Sequence, residues 1–197
     1  MKRQRGRPKQ YDEEKALAAA AAVFWSKGYN GTSLDDLAEA MAMNRPSIYR
    51  AFGDKQAIYR KSLGMFITLM EAGFKDTVAA NPDIYAGLKA FYRDALKIYT
   101  GSHARGCMVM CTAPAAIDGH PEVQQDLRDT IKQIDSRLTL RFTQAMNDGQ
   151  IAADADPATL ARLAQSVLHS LAIRARAGES AASLSEFSDN AVDVLLG

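Results

Sequence analysis

The sequence predicts an all-α chain of about nine helices. Three observations carry that prediction. No segment alternates apolar and polar positions over β-branched residues, the mark of a half-buried strand. Apolar residues recur instead at spacings of three and four. Gly, Pro, Ser, Thr, Asn and Asp fall between those stretches, where helices stop and start.

The first helix covers about 12–27, with Leu17, Ala20, Ala21, Phe24 and Trp25 on one face and Gly28 closing it. Thr32 or Ser33 caps a short second helix that turns Leu34, Leu37, Ala38 and Met41 inward. Asp35 and Asp36 lie in its first turn, where the helix dipole favours negative charge. A third short helix covers about 46–51, with Asn44 or Arg45 as cap and Pro46 in the first turn. Asp54 caps a long fourth helix through Ile58, Met65, Phe66, Leu69, Met70 and Phe74. Asn81-Pro82 breaks the chain before a fifth helix, about 82–100. The apolar segment 107–117 contains Pro114 and is expected to be kinked. A long helix over 121–147 follows, then helices over about 157–177 and 182–196.

The chain has 197 residues, 47% hydrophobic and 24% charged, which is enough for a buried core without staples. No apolar run approaches the roughly 18 residues of a membrane span, so no membrane partner is expected. The basic N-terminus has no apolar stretch behind it, unlike a secretory signal. Two cysteines, Cys107 and Cys111, are too few for a disulfide framework. The expectation is a cytoplasmic protein with reduced thiols. Enzyme signatures are missing: there is no Gly-rich phosphate loop, no His-Glu-x-x-His and no serine elbow. No cofactor is expected.

The net charge of +1 conceals an asymmetry. Residues 1–62 carry a balance of +5 and residues 63–197 a balance of −4. One end is therefore suited to an anionic partner and the other is not. Two short helices with a tight break, Thr32 to Phe52, form the helix-turn-helix pattern. Its second helix enters a DNA major groove. Arg45, Ser47, Arg50 and Tyr49 are the outward residues, with Pro46 at the helix start, while Ile48 and Phe52 point inward. Arg offers a fork to guanine, and Ser bonds either a base or a phosphate. Thr32, Ser33 and Lys55 stand at helix starts, where phosphates bind. The expected domains are a basic arm (1–10), a helix-turn-helix domain (11–56) and a C-terminal domain (57–197).

These residues resemble the DNA-binding domain of TetR-family transcriptional regulators. Leu37-Ala38, Ile48-Tyr49, Phe52 and Lys55 match that pattern, and Phe24, Gly28 and Thr32 match the end of its first helix. The sequence departs at Ala42, where the family's turn usually has Gly, so a slightly altered turn is expected. The arm Arg5-Gly6-Arg7-Pro8 resembles an AT-hook, which places Arg5 and Arg7 in a narrow minor groove; the alternative is a basic tail that adds only salt-dependent affinity.

The resemblance implies a homodimeric repressor on a palindromic double-stranded operator, released by a small-molecule effector that acts through the fourth helix. The apolar stripes of the last two helices offer Leu163, Val167, Leu171, Phe187 and Val194 to a dimer interface. Met65, Phe66, Met70, Phe91, Tyr92, Tyr99, Cys107, Met108, Met110 and His169 are candidates for the effector pocket. Met and aromatic residues suit an apolar guest. A Gly-Cys pair like Gly106-Cys107 also opens the sixth helix in a TetR subgroup with oxidant or electrophile sensors. A thiol at a helix start beside Arg105 and His103 is expected to have a lowered pKa; the alternative is a small buried hydrophobe. His103, Cys107 and Cys111 are spaced for a soft metal, but Gly101 and Gly106 interrupt that face and no fourth ligand accompanies them, so no metal is expected. A DNA-coating protein without sequence preference and a thiol switch acting through protein partners are the rival readings. Binding to a specific palindrome excludes the first, and tight DNA binding counts against the second.

Overall fold

A computed structural model describes residues 12–101 and 105–197. Arg5, Arg7 and the rest of the basic arm lie outside the described residues, as does His103. Nine α-helices form among the described residues: α1 Glu13–Lys27, α2 Leu34–Ala40, α3 Arg45–Phe52, α4 Lys55–Phe74, α5 Ile84–Tyr99, α6 Met108–Thr112, α7 Pro121–Asn147, α8 Pro157–Arg176 and α9 Ala181–Leu196. A π-helical turn, Lys75–Ala79, follows α4, and a 3-10 turn, Pro114–Ala116, follows α6 at the expected proline break. No described helix is long and apolar enough to cross a membrane.

The caps explain the helix starts. Asp12, Ser33, Asn44, Asp83, Asp156 and Ser180 each accept backbone N–H bonds at the heads of α1, α2, α3, α5, α8 and α9. At α2 the cap is Ser33 rather than Thr32. Ser33 and Asp36 satisfy each other's backbone N–H groups in a reciprocal capping box. Asp54 does the same work for α4 through the Ala57 N–H at 2.8 Å.

The chain divides into two compact units between Ser62 and Leu63, inside α4. The division falls later than position 56 because Ile58 and Tyr59 belong to the first core. Both are fully buried, and the Tyr59 ring lies 5.0 Å from those of Phe24 and Tyr29. Leu37, Ile48 and Phe52 complete that core.

In the second unit α8 lies between α7 and α9, and α5 packs on α9 and α8. Tyr92 donates from α5 to the Ala164 carbonyl at 2.7 Å, and Tyr85 to the Leu196 carbonyl at 2.6 Å. Nothing in the residue pattern signals the π-turn. Arg141 explains it: its guanidinium is buried and donates to the carbonyls of Val78, Asn81 and Pro82. Gly87 lets α5 approach the same turn, since a Cβ there would lie 3.0 Å from the Thr77 carbonyl oxygen.

Candidate functional site

The first unit builds an exposed polar helix. Ile48 and Phe52 anchor α3 in the core, which turns Arg45, Pro46, Tyr49 and Arg50 to solvent and leaves Ser47 half-buried. The turn before α3 keeps the geometry that glycine normally supplies. Ala42 adopts φ 51, and it is the one non-glycine residue with positive φ among the described residues. Its N–H reaches the Glu39 carbonyl and the Met43 N–H reaches that of Ala38, which is the Schellman ending. The altered turn expected from Ala42 does not occur. The α2–α3 geometry is kept, and the alanine carries about 1–2 kcal/mol of backbone strain.

The charges around α3 are arranged. The Arg45 guanidinium donates to Asp35 at 2.5 and 2.9 Å. Both partners are largely exposed, so the pair adds little to stability and Arg45 easily exchanges Asp35 for another anion. Lys27 donates to Asp36 at 2.6 Å; that bond, with those from Ser33, holds the Asp36 carboxyl well below the ordinary carboxylate range. Lys55 places its ammonium 4.4 Å from the centre of the Tyr29 ring. Thr32 is not presented to a phosphate: it is 2% exposed and its hydroxyl donates to the Gly28 carbonyl. Ser33 is exposed, with its hydroxyl engaged in the capping box.

The second unit encloses a cavity of about 50 Å³ bordered by α4, α5, α6, α7 and α8. Seven of the expected residues line it: Phe66, Met70, Phe91, Tyr99, Cys107, Met110 and His169. Met65, Tyr92 and Met108 do not. Met108 is buried elsewhere, and the Tyr92 hydroxyl is committed to α8. The sequence reading missed the α7 wall, including Thr130, Gln133 and Arg137. Their spacing of three and four residues is a polar stripe that would have marked it. Arg137 pairs with Glu71 across the wall at 2.9 Å.

The lowered thiol pKa expected at Cys107 is contradicted. Cys107 is the N-terminal cap residue of α6, but burial pushes its thiol up to about 11, and backbone N–H groups and the Tyr99 hydroxyl offset only part of that. Burial also raises Cys111. Burial lowers His169 from its ordinary value, with Asp135 acting in the opposite sense. Tyr99 is fully buried, and its hydroxyl has no oxygen or nitrogen partner; its polar neighbour is the Cys107 thiol, a weak acceptor. Among the described residues no three metal-ligating side chains come together.

On the last two helices, Leu163, Phe187 and Val194 are exposed and Val167 is half-buried. Leu171 is 0% exposed, packed inside its own subunit, and is withdrawn from the interface candidates. Ile173, which the sequence reading passed over, is exposed on α8, and Arg174 stacks on the Phe187 ring at 5.5 Å.

Residues 16–61 match the family described as bacterial regulatory proteins, tetR family. Residues 85–190 match the tetracyclin repressor-like C-terminal domain. The chain is 28% identical to the HTH-type transcriptional repressor ComR of Escherichia coli (strain K12), over 91% of this chain and 87% of that protein. It is 24% identical to the HTH-type transcriptional repressor BdcR of the same organism, over 89% and 91%. Among solved structures it resembles a cysteine mutant of the TetR family transcriptional regulator CifR, complexed with 26 bp double-strand operator DNA. The TM-score is 0.87 and the identity 29%, over 95% of this chain and 98% of that one. With both halves matched and α2–α3 formed as a helix-turn-helix, the chain belongs to the TetR family of bacterial transcriptional regulators, which bind operator DNA and are not enzymes.

Proposed function

We propose that the protein is a repressor that binds a palindromic operator as a homodimer and is released when a reversibly bound small molecule enters the cavity of its C-terminal unit. The observation that carries this reading is α3: a helix fixed by Ile48 and Phe52, with Arg45, Tyr49 and Arg50 turned outward and Ser47 half-buried beside them. Arg45 exchanges Asp35 for a base edge, and Ser33 and Lys55 meet phosphates. Arg5 and Arg7 of the arm enter the adjacent minor groove. One recognition helix per chain reads one half-site, and two half-sites about 34–36 Å apart need two chains. The apolar side chains left exposed on α8 and α9, with Val194 86% exposed, favour a second copy as their cover.

Release by a reversibly bound small molecule is favoured over attack on a thiol, because Cys107 is buried and held protonated. Phe66 and Met70 of the cavity lie on the helix that begins at Lys55, and that helix carries the response. The guest acts only through different affinities for the operator-bound and released states.

Fluorescence anisotropy tests the reading, with a duplex from immediately upstream of the coding region and a scrambled duplex of equal length across a salt series. The expected preference is about a thousandfold or more at physiological salt. If both that duplex and the best sequence from random selection bind no better than the scrambled one, with a steep salt slope, the operator reading is overturned in favour of DNA coating.

A further inference from the structure

We infer that the cavity takes an uncharged, compact, largely apolar molecule with one hydrogen-bond acceptor, held by the Tyr99 hydroxyl. The inference rests on the effector reading above and narrows its ligand to a chemical class. Three observations lead to it.

The first is an unused donor. Of the buried side-chain oxygens without a partner among the described residues, only Tyr99 Oη belongs to a residue that lines the cavity. Two neighbouring polar groups are committed, whereas Gln133 is exposed and His169 is half-buried. Thr130 donates to the Asp126 carbonyl at 2.8 Å and Gln165 to the Ile131 carbonyl at 3.3 Å. A phenol that burial holds far above its ordinary pKa stays protonated, so it offers a proton and asks for an acceptor.

The second is neutrality. Glu71 and Arg137, the acid and the guanidinium on the wall, already face each other at 2.9 Å. His169 is shifted toward its neutral form and the Cys107 thiol stays protonated. No charge on the described wall is left to compensate a charged guest, which would lose its hydration without replacement.

The third is size. About 50 Å³ is a third of the roughly 150 Å³ in which an engineered apolar cavity holds benzene. Entry therefore needs movable walls, and Met70 and Met110, both half-buried, supply them. A guest of one small ring is within their reach.

The test uses the full chain and its Tyr99→Phe variant. Three matched probes are titrated by ligand-observed NMR: cyclohexanone, methylenecyclohexane, which has the same shape without an acceptor, and cyclohexylammonium. Because Tyr99 Oη has only the weakly accepting Cys107 thiol beside it, the variant is expected to fold with little or no loss of stability. Cyclohexanone is expected to bind saturably. Its preference over methylenecyclohexane should fall about five- to tenfold in Tyr99→Phe, with the hydrocarbon itself unchanged within about twofold. Cyclohexylammonium should bind about a hundredfold or more weakly than cyclohexanone.

An unchanged preference in Tyr99→Phe, equal binding of the ammonium probe, or no saturable binding of cyclohexanone would overturn the inference. The last result would mean that only water meets the hydroxyl. The two readings fail separately. Tyr99-dependent binding that leaves operator affinity unchanged supports the ligand class and sinks release. Specific operator binding without any probe binding sinks the ligand class and leaves the operator reading standing.

Discussion

Three helices end in the same Schellman motif, one in the first unit and two in the second. After α7 and α8 the left-handed residue is Gly149 or Gly178, at φ 70 and 91; after α2 it is Ala42, at φ 51. A fourth left-handed position, Gly106 at φ 67, stands in the wall segment that carries Cys107. Surroundings decide which side chain each position tolerates. Ala42 is exposed, so its methyl group has room and only the backbone preference opposes it. A Cβ at Gly106 would lie 2.3 Å from the Ala172 carbonyl oxygen and 2.8 Å from the Cys111 Sγ. The first unit keeps its working surface outside, where local geometry suffices. The second encloses its candidate site, where backbone segments distant in sequence touch.

Gly106→Ala should therefore be the most damaging single-atom change. The backbone must shift away from α8 in addition to bearing the left-handed strain. The expected destabilisation is about 3 kcal/mol or more. For a chain of this size it lowers the unfolding midpoint by about 6–12 °C. Calorimetry checks it, and a midpoint unchanged within about 2 °C would show that Gly106 is not constrained by α8.

Arg45→Ala tests the outer surface. It should leave the unfolding midpoint in place and weaken operator binding by about 1–3 kcal/mol, with relaxed preference at one base position. Anisotropy against single-base operator variants reads this directly. A loss spread evenly over all sequences would make Arg45 a phosphate contact and remove it from base reading.

The same division governed what could be read in advance. The helix-turn-helix lies within about twenty residues, and its outward and inward positions follow from helical spacing, so Arg45 and Arg50 are exposed and Ile48 and Phe52 buried as that spacing predicts, while Ser47 is half-buried. Thr32 misled because its hydroxyl turns back to Gly28, a bond that spacing does not reveal. The cavity draws on five helices. Its aromatic and methionine wall was legible as apolar residues on helices, but the Glu71–Arg137 pair joins positions 66 residues apart, and no periodicity announces that. Burial also reversed the expectation at Cys107: a helix start favours thiolate, but full enclosure disfavours it more strongly.

Two tyrosines of α5 sharpen the contrast inside the second unit. Both are fully buried, yet the Tyr92 hydroxyl holds the Ala164 carbonyl and the Tyr99 hydroxyl meets only the weakly accepting Cys107 thiol. Tyr92→Phe should cost about 1 kcal/mol in urea unfolding, whereas Tyr99→Phe should change stability by less than about 0.5 kcal/mol or raise it. Equal losses at the two positions would mean that the Tyr99 hydroxyl has a structural partner, and the distinction between scaffold and site along α5 would fail.

Ala42→Gly has a small effect and returns to the opening contrast. Two opposing contributions decide its sign. Removing the methyl group relieves the left-handed strain of about 1–2 kcal/mol. The freer glycine also widens the unfolded ensemble, which costs about 0.4–1 kcal/mol. Strain relief is the larger, so the variant should gain about 0.5 kcal/mol in urea unfolding. A loss instead would mean that the alanine methyl makes a favourable contact on the surface of the first unit. Operator affinity should not change, because Ala42 already holds α2 and α3 in the geometry a glycine would allow. The alanine thus weakens the fold slightly without altering the reading surface.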